Sequence, residues 1–307
     1  GIFIKDDLSE DIDYENIINS KLKNNTVKAI KDVFKQTQNG EVSKEKVANL
    51  KGVVDDIISE ISGNDDVIIN MIDLKVFDDY TYYHSVSVLI LAIVVGVSLK
   101  MNKDSLYKLG MGALLHDIGK IFVPKEILDK NGRLTAEEFD IMKEHSEKGC
   151  KYLREQWDIS NESNLAVLTH HEKHDGTGYP YNLKDDKIPQ YGKIIAIADV
   201  YDALTSDRPY RKALLPSSAM EYIMGGSGTY FDPEIVKVFV KKVMPYPLGI
   251  FVKLSNGLIG MVVKNYPNNG MRPKVKIISE ANTKPVYYDL FNDRSLLNVT
   301  IVDIANI

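Results

Sequence analysis

All six histidines of this 307-residue chain lie between His84 and His174. Three of them fall in HHEKHDGTGYP, His170 to Pro180. A second stretch, LLHDIGK, runs from Leu114 to Lys120. Its apolar flank predicts that His116 and Asp117 are buried on a helix, where a His–Asp pair is costly unless something compensates it. A cation would do so, because neutral imidazole and carboxylate are ligands for Fe, Mn or Zn. Helical spacing places Lys120 on the same face as His116, four residues earlier.

A hydrogen-bonded core histidine would account for that pair alone. It does not account for His84 near the start of an apolar helix, His145 in MKEHSEKG, the adjacent His170 and His171, or Asp199 at the end of KIIAIAD. Side chains spread over five helices of one helical unit suggest a cluster in the interior of a bundle. Five such histidines and two aspartates exceed the three or four protein ligands of one catalytic metal, so two divalent ions are expected. Asp117 is the natural bridge, since each carboxylate oxygen can take one metal.

The elements that must position these residues are mostly helical. Residues 1–78 read as a short extended piece, IFIK, then helices with apolar residues at helical spacing (Ile17, Ile18, Leu22, Val27, Ile30, Val33, Phe34). Ser43 is the expected N-cap of the second helix. These helices carry no evident chemistry and read as a regulatory or dimerisation segment. Residues 79–246 run helix after helix, broken at VPKEILDKNGRLT, DGTGYPYNLKDDKIPQYG and GGSGTYFDP. Residues 247–307 change to period two, with Asn256-Gly257 between alternating runs as a hairpin signal. The expected fold is mainly α, with an N-terminal helical segment and a small C-terminal β appendix of structural or interaction role.

HDIGK, HHEKHDGTGYP and IADVYDALTSDRPYR, in that order, closely resemble the HD-GYP branch of the HD phosphohydrolases, over roughly Asp79 to Pro247. YTYYHSVSV at the beginning also fits, and GTYFDPEIV and SNGLIGMVV resemble segments that often follow this domain. The resemblance implies an HD-type helical bundle and a metal-dependent phosphodiesterase acting on cyclic dinucleotides, chiefly cyclic di-GMP. It implies His84, His116, Asp117, His145, His170, His171 and Asp199 as metal ligands. Lys120 would contact the scissile phosphate, Tyr179 would line the base-binding wall, and Arg208 and Arg211 would meet phosphate or guanine. His174 falls where the family pattern is permissive and reads as a solvated loop histidine, whereas Glu172 and Asp175 would orient ligands or pin the loop. Gly176 and Gly178 would give it backbone freedom. Some members hold a third metal with a carboxylate one turn before the first histidine. Here that position is Tyr80, and Asp79 is aimed about 140° away from His84 on a helix, so two metals, Fe or Mn, are expected.

The implied chemistry is in-line attack by hydroxide held between the two metals, opening cyclic di-GMP to pGpG, with the final product, pGpG or GMP after a second cleavage, left open. Lys120, Asp117 and Asp199 form the expected catalytic set, with Asp199 or a water-linked carboxylate taking the nucleophile's proton. A hybrid cyclic GMP-AMP substrate, or a receptor that binds cyclic di-GMP without cleaving it, are the rival readings. Lys and Arg total 38 against 43 Asp and Glu, a net charge of −5 with no basic tract, which argues against duplex nucleic acid as a partner. VSVLILAIVVGVSL, Val86 to Leu99, is shorter than the ~20 residues that span a bilayer. It reads as a core helix, and no signal peptide is evident. The single cysteine, Cys150, forms no internal disulfide and fits a reducing, cytoplasmic setting. A homodimer through the N-terminal helices is the expected assembly.

Overall fold

The computed structural model describes residues 18–40, 42–63, 69–70, 80–207, 212–266, 269–278 and 285–305. IFIK, Ile17, Asp79, Arg208 and Arg211 lie outside them.

Helices α1 (Ser20–Gln38) and α2 (Lys44–Ser62) form an N-terminal pair. Asn19 caps the first and Ser43 the second, each accepting a backbone N–H of the first turn. The central helix α3 (Tyr80–Ser98) is apolar nearly all round, and Val86 to Val95 are buried without a break. A helix without a polar face belongs in the interior. It is long and apolar enough to cross a membrane by length and composition, yet 72% of that window is buried inside the protein. Around α3 pack α4 (Lys103–Leu115), α9 (Gln190–Thr205), α11 (Pro233–Lys242) and the N-terminal pair, with α8 (Asn161–Thr169) against α4 and α9. Short α5 (Lys125–Leu128) and α6 (Ala136–Lys143), then α7 (His145–Gln156), lie between α4 and α8, and α10 (Pro216–Gly225) follows α9.

Val27, Ile30, Val33 and Phe34 of α1 and Leu50, Val54 and Ile57 of α2 are buried in one cluster with Leu89 and Ile93 of α3. The apolar faces of the N-terminal pair are thus used in the chain's own core. A two-residue parallel ladder, β1 (Ile69–Asn70) with β2 (Val243–Met244), also ties the start of the bundle to its end.

The C-terminal unit is an antiparallel five-stranded sheet in the order β6-β5-β4-β3-β7, made of β3 (Phe251–Leu254), β4 (Ile259–Lys264), β5 (Lys274–Ile277), β6 (Val286–Asp289) and β7 (Ile301–Ile304). Gly257 adopts φ +86° in the β3–β4 turn, the backbone state that makes Asn-Gly a hairpin signal. Val252, Leu254, Val262, Val275 and Leu290 form a core separate from that of the helices.

Candidate metal centre

Seven side chains reach one buried place from different parts of the bundle. His84 comes from the second turn of α3, His116 from the C-cap of α4, and Asp117 from the residue before the 3₁₀ turn Ile118–Phe122. His145 opens α7, His170 caps the end of α8 with His171 next to it, and Asp199 projects from α9. Their ligand atoms form two groups within 4.8 Å, Asp117 with His145, His170 and His171, and His84 with His116 and Asp199. The structure brings together all seven residues named from the sequence.

Three of the histidines share one local device. The Nδ1 of His116, His145 and His170 lies 2.8, 2.7 and 2.6 Å from the carbonyl oxygen three residues back, of Ala113, Met142 and Val167. That contact assigns a proton to Nδ1, so that in the neutral ring Nε2 presents a bare lone pair. The Nε2 atoms of His145 and His170 are then two lone pairs 3.3 Å apart. His116 Nε2 is buried with no hydrogen-bond partner among the described residues. Lone pairs that face each other in a buried site repel unless a cation lies between them, so this donor set fits divalent metal.

Asp117 stands between the groups. Its Oδ1 is 3.5 Å from His145 Nε2, and its Oδ2 is 3.3 Å from His116 Nε2 and 3.8 Å from His84 Nε2. Burial pushes the Asp117 carboxyl up, but the Lys120 ammonium and the imidazoles outweigh it and hold the group well below the usual range. Lys120 Nζ is 2.6 Å from Asp117 Oδ2 and about one third exposed. The chain leaves the α-helix at His116 and tightens into a 3₁₀ turn, which sets Lys120 against Asp117, three residues earlier. Burial, reinforced by neighbouring imidazoles, pulls His170 well below its ordinary value and His171 to about 3. Burial also lowers His145. All three stay neutral, the ligand form.

Gly119 explains how the 3₁₀ turn comes so close. A Cβ there would sit 1.8 Å from the carbonyl oxygen of His145 and 2.6 Å from the amide of Gly149. Only a bare backbone lets the turn lie on the start of α7 and put Asp117 beside His145. Residue spacing does not single out Gly119, although a glycine between Asp117 and Lys120 is a visible signal.

Asp202 was also missed. Its Oδ2 is 2.7 Å from His84 Nδ1, while Asp199 Oδ1 is 3.1 Å from His84 Nε2. The available signal was its place three residues after Asp199, on the same face of α9. Burial works to neutralise His84, but the two carboxylates prevail and raise it to about 9. Below that pH the imidazole is charged in the metal-free chain, so loading a metal on Nε2 must expel a proton. Calorimetry at pH 7.5 in buffers of different ionisation enthalpy should therefore show about one proton released from this site. Asp202→Asn should reduce that release and weaken metal binding by about 10- to 100-fold.

The loop after His171 is pinned from beneath. Glu172 is buried and accepts the backbone N–H groups of Tyr181 at 2.7 Å and Leu183 at 2.9 Å. Gly176 has φ +83°, as expected for a turn. Gly178 serves a different purpose, since a Cβ there would lie 2.3 Å from the amide nitrogen of Lys173. The Tyr179 ring then rests 4.7 Å from the His171 ring at 31°, at the edge of the cluster. Asp175 accepts the amide and hydroxyl of Thr177 and shapes the turn. His174 stays outside the cluster and is more enclosed than a solvated loop histidine, 18% exposed, with its backbone N–H donated to Tyr230. Glu172→Gln keeps the volume but weakens both charge-assisted bonds. It should raise KM several-fold and leave metal content intact, as elemental analysis would read.

The sequence matches the model of the HD domain family over residues 66–235, more than half of the chain. The chain belongs to the HD domain family. Its HD pair is His116-Asp117, and Gly178-Tyr179-Pro180 places it in the HD-GYP branch. The C-terminal sheet matches the KOW domain associated with HD domain, residues 251–306. Among HD relatives, the cyclic di-GMP phosphodiesterase PA4108 of Pseudomonas aeruginosa is 34% identical over 90% of this chain and 65% of its own length. The 3'3'-cGAMP-specific phosphodiesterase 2 of Vibrio cholerae is 41% identical over 41% of this chain and 24% of its own length. The chain thus spans less than two thirds of these curated relatives. Bd1817, an HDGYP protein from Bdellovibrio bacteriovorus, superposes with a TM-score of 0.59 at 17% identity, covering 71% of this chain and 69% of that one, a likeness of fold.

Proposed function

We propose that this HD domain chain is a metal-dependent phosphodiesterase that hydrolyses cyclic di-GMP to pGpG and onward to GMP. The observation that carries the reading is the pair of ligand groups joined through Asp117, with the Lys120 ammonium at their edge and Tyr179 beside them. Groups of four and three donors suit two ions, and imidazole with carboxylate suits Fe or Mn. Tyr80 offers no carboxylate for a third. Bound metals supply water whose pKa falls from about 15.7 to about 7, and positive charge to meet a phosphodiester anion.

The chain's own residues do the rest. Lys120 neutralises the scissile phosphate, and Asp199 takes the proton of the attacking water. Tyr179 lines the base-binding wall, and Arg208 with Arg211 meets phosphate or guanine. The cytoplasm is the compartment where such a nucleotide would be met. A second reading, hydrolysis of cyclic GMP-AMP, rests on the 41% identity to the Vibrio cholerae enzyme named for that substrate.

The test is protein purified without oxygen, analysed for metal and incubated with both cyclic dinucleotides, with products separated by chromatography. Two metals per chain and preferential conversion of cyclic di-GMP are expected. Tight binding of cyclic di-GMP by metal-replete protein with no turnover would make the chain a receptor instead.

A further inference from the structure

Helix α6 contributes no buried residue to the core. An eight-residue helix is marginal on its own, yet this one is fastened at its start. Thr135 and Glu138 form a reciprocal capping box, and Lys130 forks onto both oxygens of Glu138 at 2.7 and 2.5 Å. The residue so held is Phe139, whose large apolar side chain is 47% exposed. Its ring lies 6.3 Å from that of Tyr179 at an interplanar angle of 84°. Tyr179 in turn packs on His171 at 4.7 Å and faces His145 at 6.5 Å. Lys143 Nζ stands 5.2 Å from the Phe139 ring centroid and is held by Asp140 at 2.5 Å.

We infer that Phe139 is a substrate-binding residue that forms, with Tyr179, a two-walled aromatic corner for a nucleobase. The inference rests on the proposed cyclic-dinucleotide activity and names what decides base affinity in the same site. Two rings at right angles offer a flat ligand one face to stack on and one edge to abut. Stacking on an aromatic side chain tolerates any base and has a large effect on affinity. The rigid fastening of α6 keeps Phe139 in place before ligand arrives.

The test uses the metal-loaded full chain and Phe139→Ala, Phe139→Leu and Phe139→Trp. For cyclic di-GMP, Ala and Leu should raise KM at least about tenfold, with kcat changing less than KM and metal content unchanged. Trp should keep KM within about threefold of the parent. A second measurement needs no turnover. A cyclic dinucleotide carrying 2-aminopurine in place of one guanine should be quenched on binding to the parent chain, and much less by Phe139→Ala. Parent protein that quenches the probe but cleaves no cyclic dinucleotide sinks the hydrolytic reading and leaves the corner standing. Hydrolysis with equal quenching by parent and Phe139→Ala overturns the corner alone. So does a parent chain that does not quench the probe, a Leu variant with unchanged KM, or metal lost from Phe139→Ala.

Discussion

Asp117→Ala is expected to empty both halves of the metal centre and to lower turnover by at least about 10³-fold. The carboxylate is buried, touches three imidazoles and is the partner of Lys120. Removing it takes away Oδ1 beside His145 and Oδ2 beside His116 and His84, and leaves the Lys120 ammonium without its carboxylate, which disfavours any further cation there. Asp117→Asn separates the two roles. The amide keeps the volume but has a single carbonyl oxygen, and its NH₂ group repels whichever metal it faces. Metal content should fall to about one ion per chain, as elemental analysis would show. Full occupancy and full turnover in Asp117→Ala would end the assignment of this residue as the bridge.

Gly119→Ala, a change of one methyl group, should be the next most damaging. The added carbon would overlap the His145 carbonyl at 1.8 Å, and that neighbour is backbone, so it cannot rotate away. The 3₁₀ turn and the start of α7 must separate, and Asp117 moves off His145. Overpacking of this kind costs about 1–3 kcal/mol or more, and a misplacement of about 1 Å at a reacting centre can cost about 10²-fold in rate. We expect a fall in kcat of about that size, with a loss of melting temperature of several degrees. Gly149→Ala is the control. Its Cβ would lie 3.0 Å from the Gly119 amide, a tighter contact than usual but a milder one, so its effect should be smaller. Equal activity of Gly119→Ala and the parent would mean that the close approach does not set the ligand geometry.

The identity of the cluster was legible in the chain because the residue types are rare and their spacing follows the elements. Histidines confined to one segment, apolar runs at period 3.6 and an Asn-Gly between alternating strands each depend on local chemistry, and each element they foretold is present. Gly178 and Lys120 take up geometry that spacing does not show. One serves close packing rather than positive φ, and the other meets Asp117 because the helix tightens at its end. Such choices depend on what lies across the fold, which spacing does not contain.

By itself the sequence determined which side chains can bind metal, which helix must be buried and where strands replace helices, since these follow from side-chain chemistry and periodicity. Tertiary structure alone decided which donors group on either side of Asp117, that Asp202 holds His84 across 118 residues of chain, that Gly119 lets two backbones touch, and that Phe139 stands beside Tyr179. The reason is physical. Propensity and pattern act over a turn or two of chain, whereas each of these arrangements depends on the distance between atoms that only packing brings together.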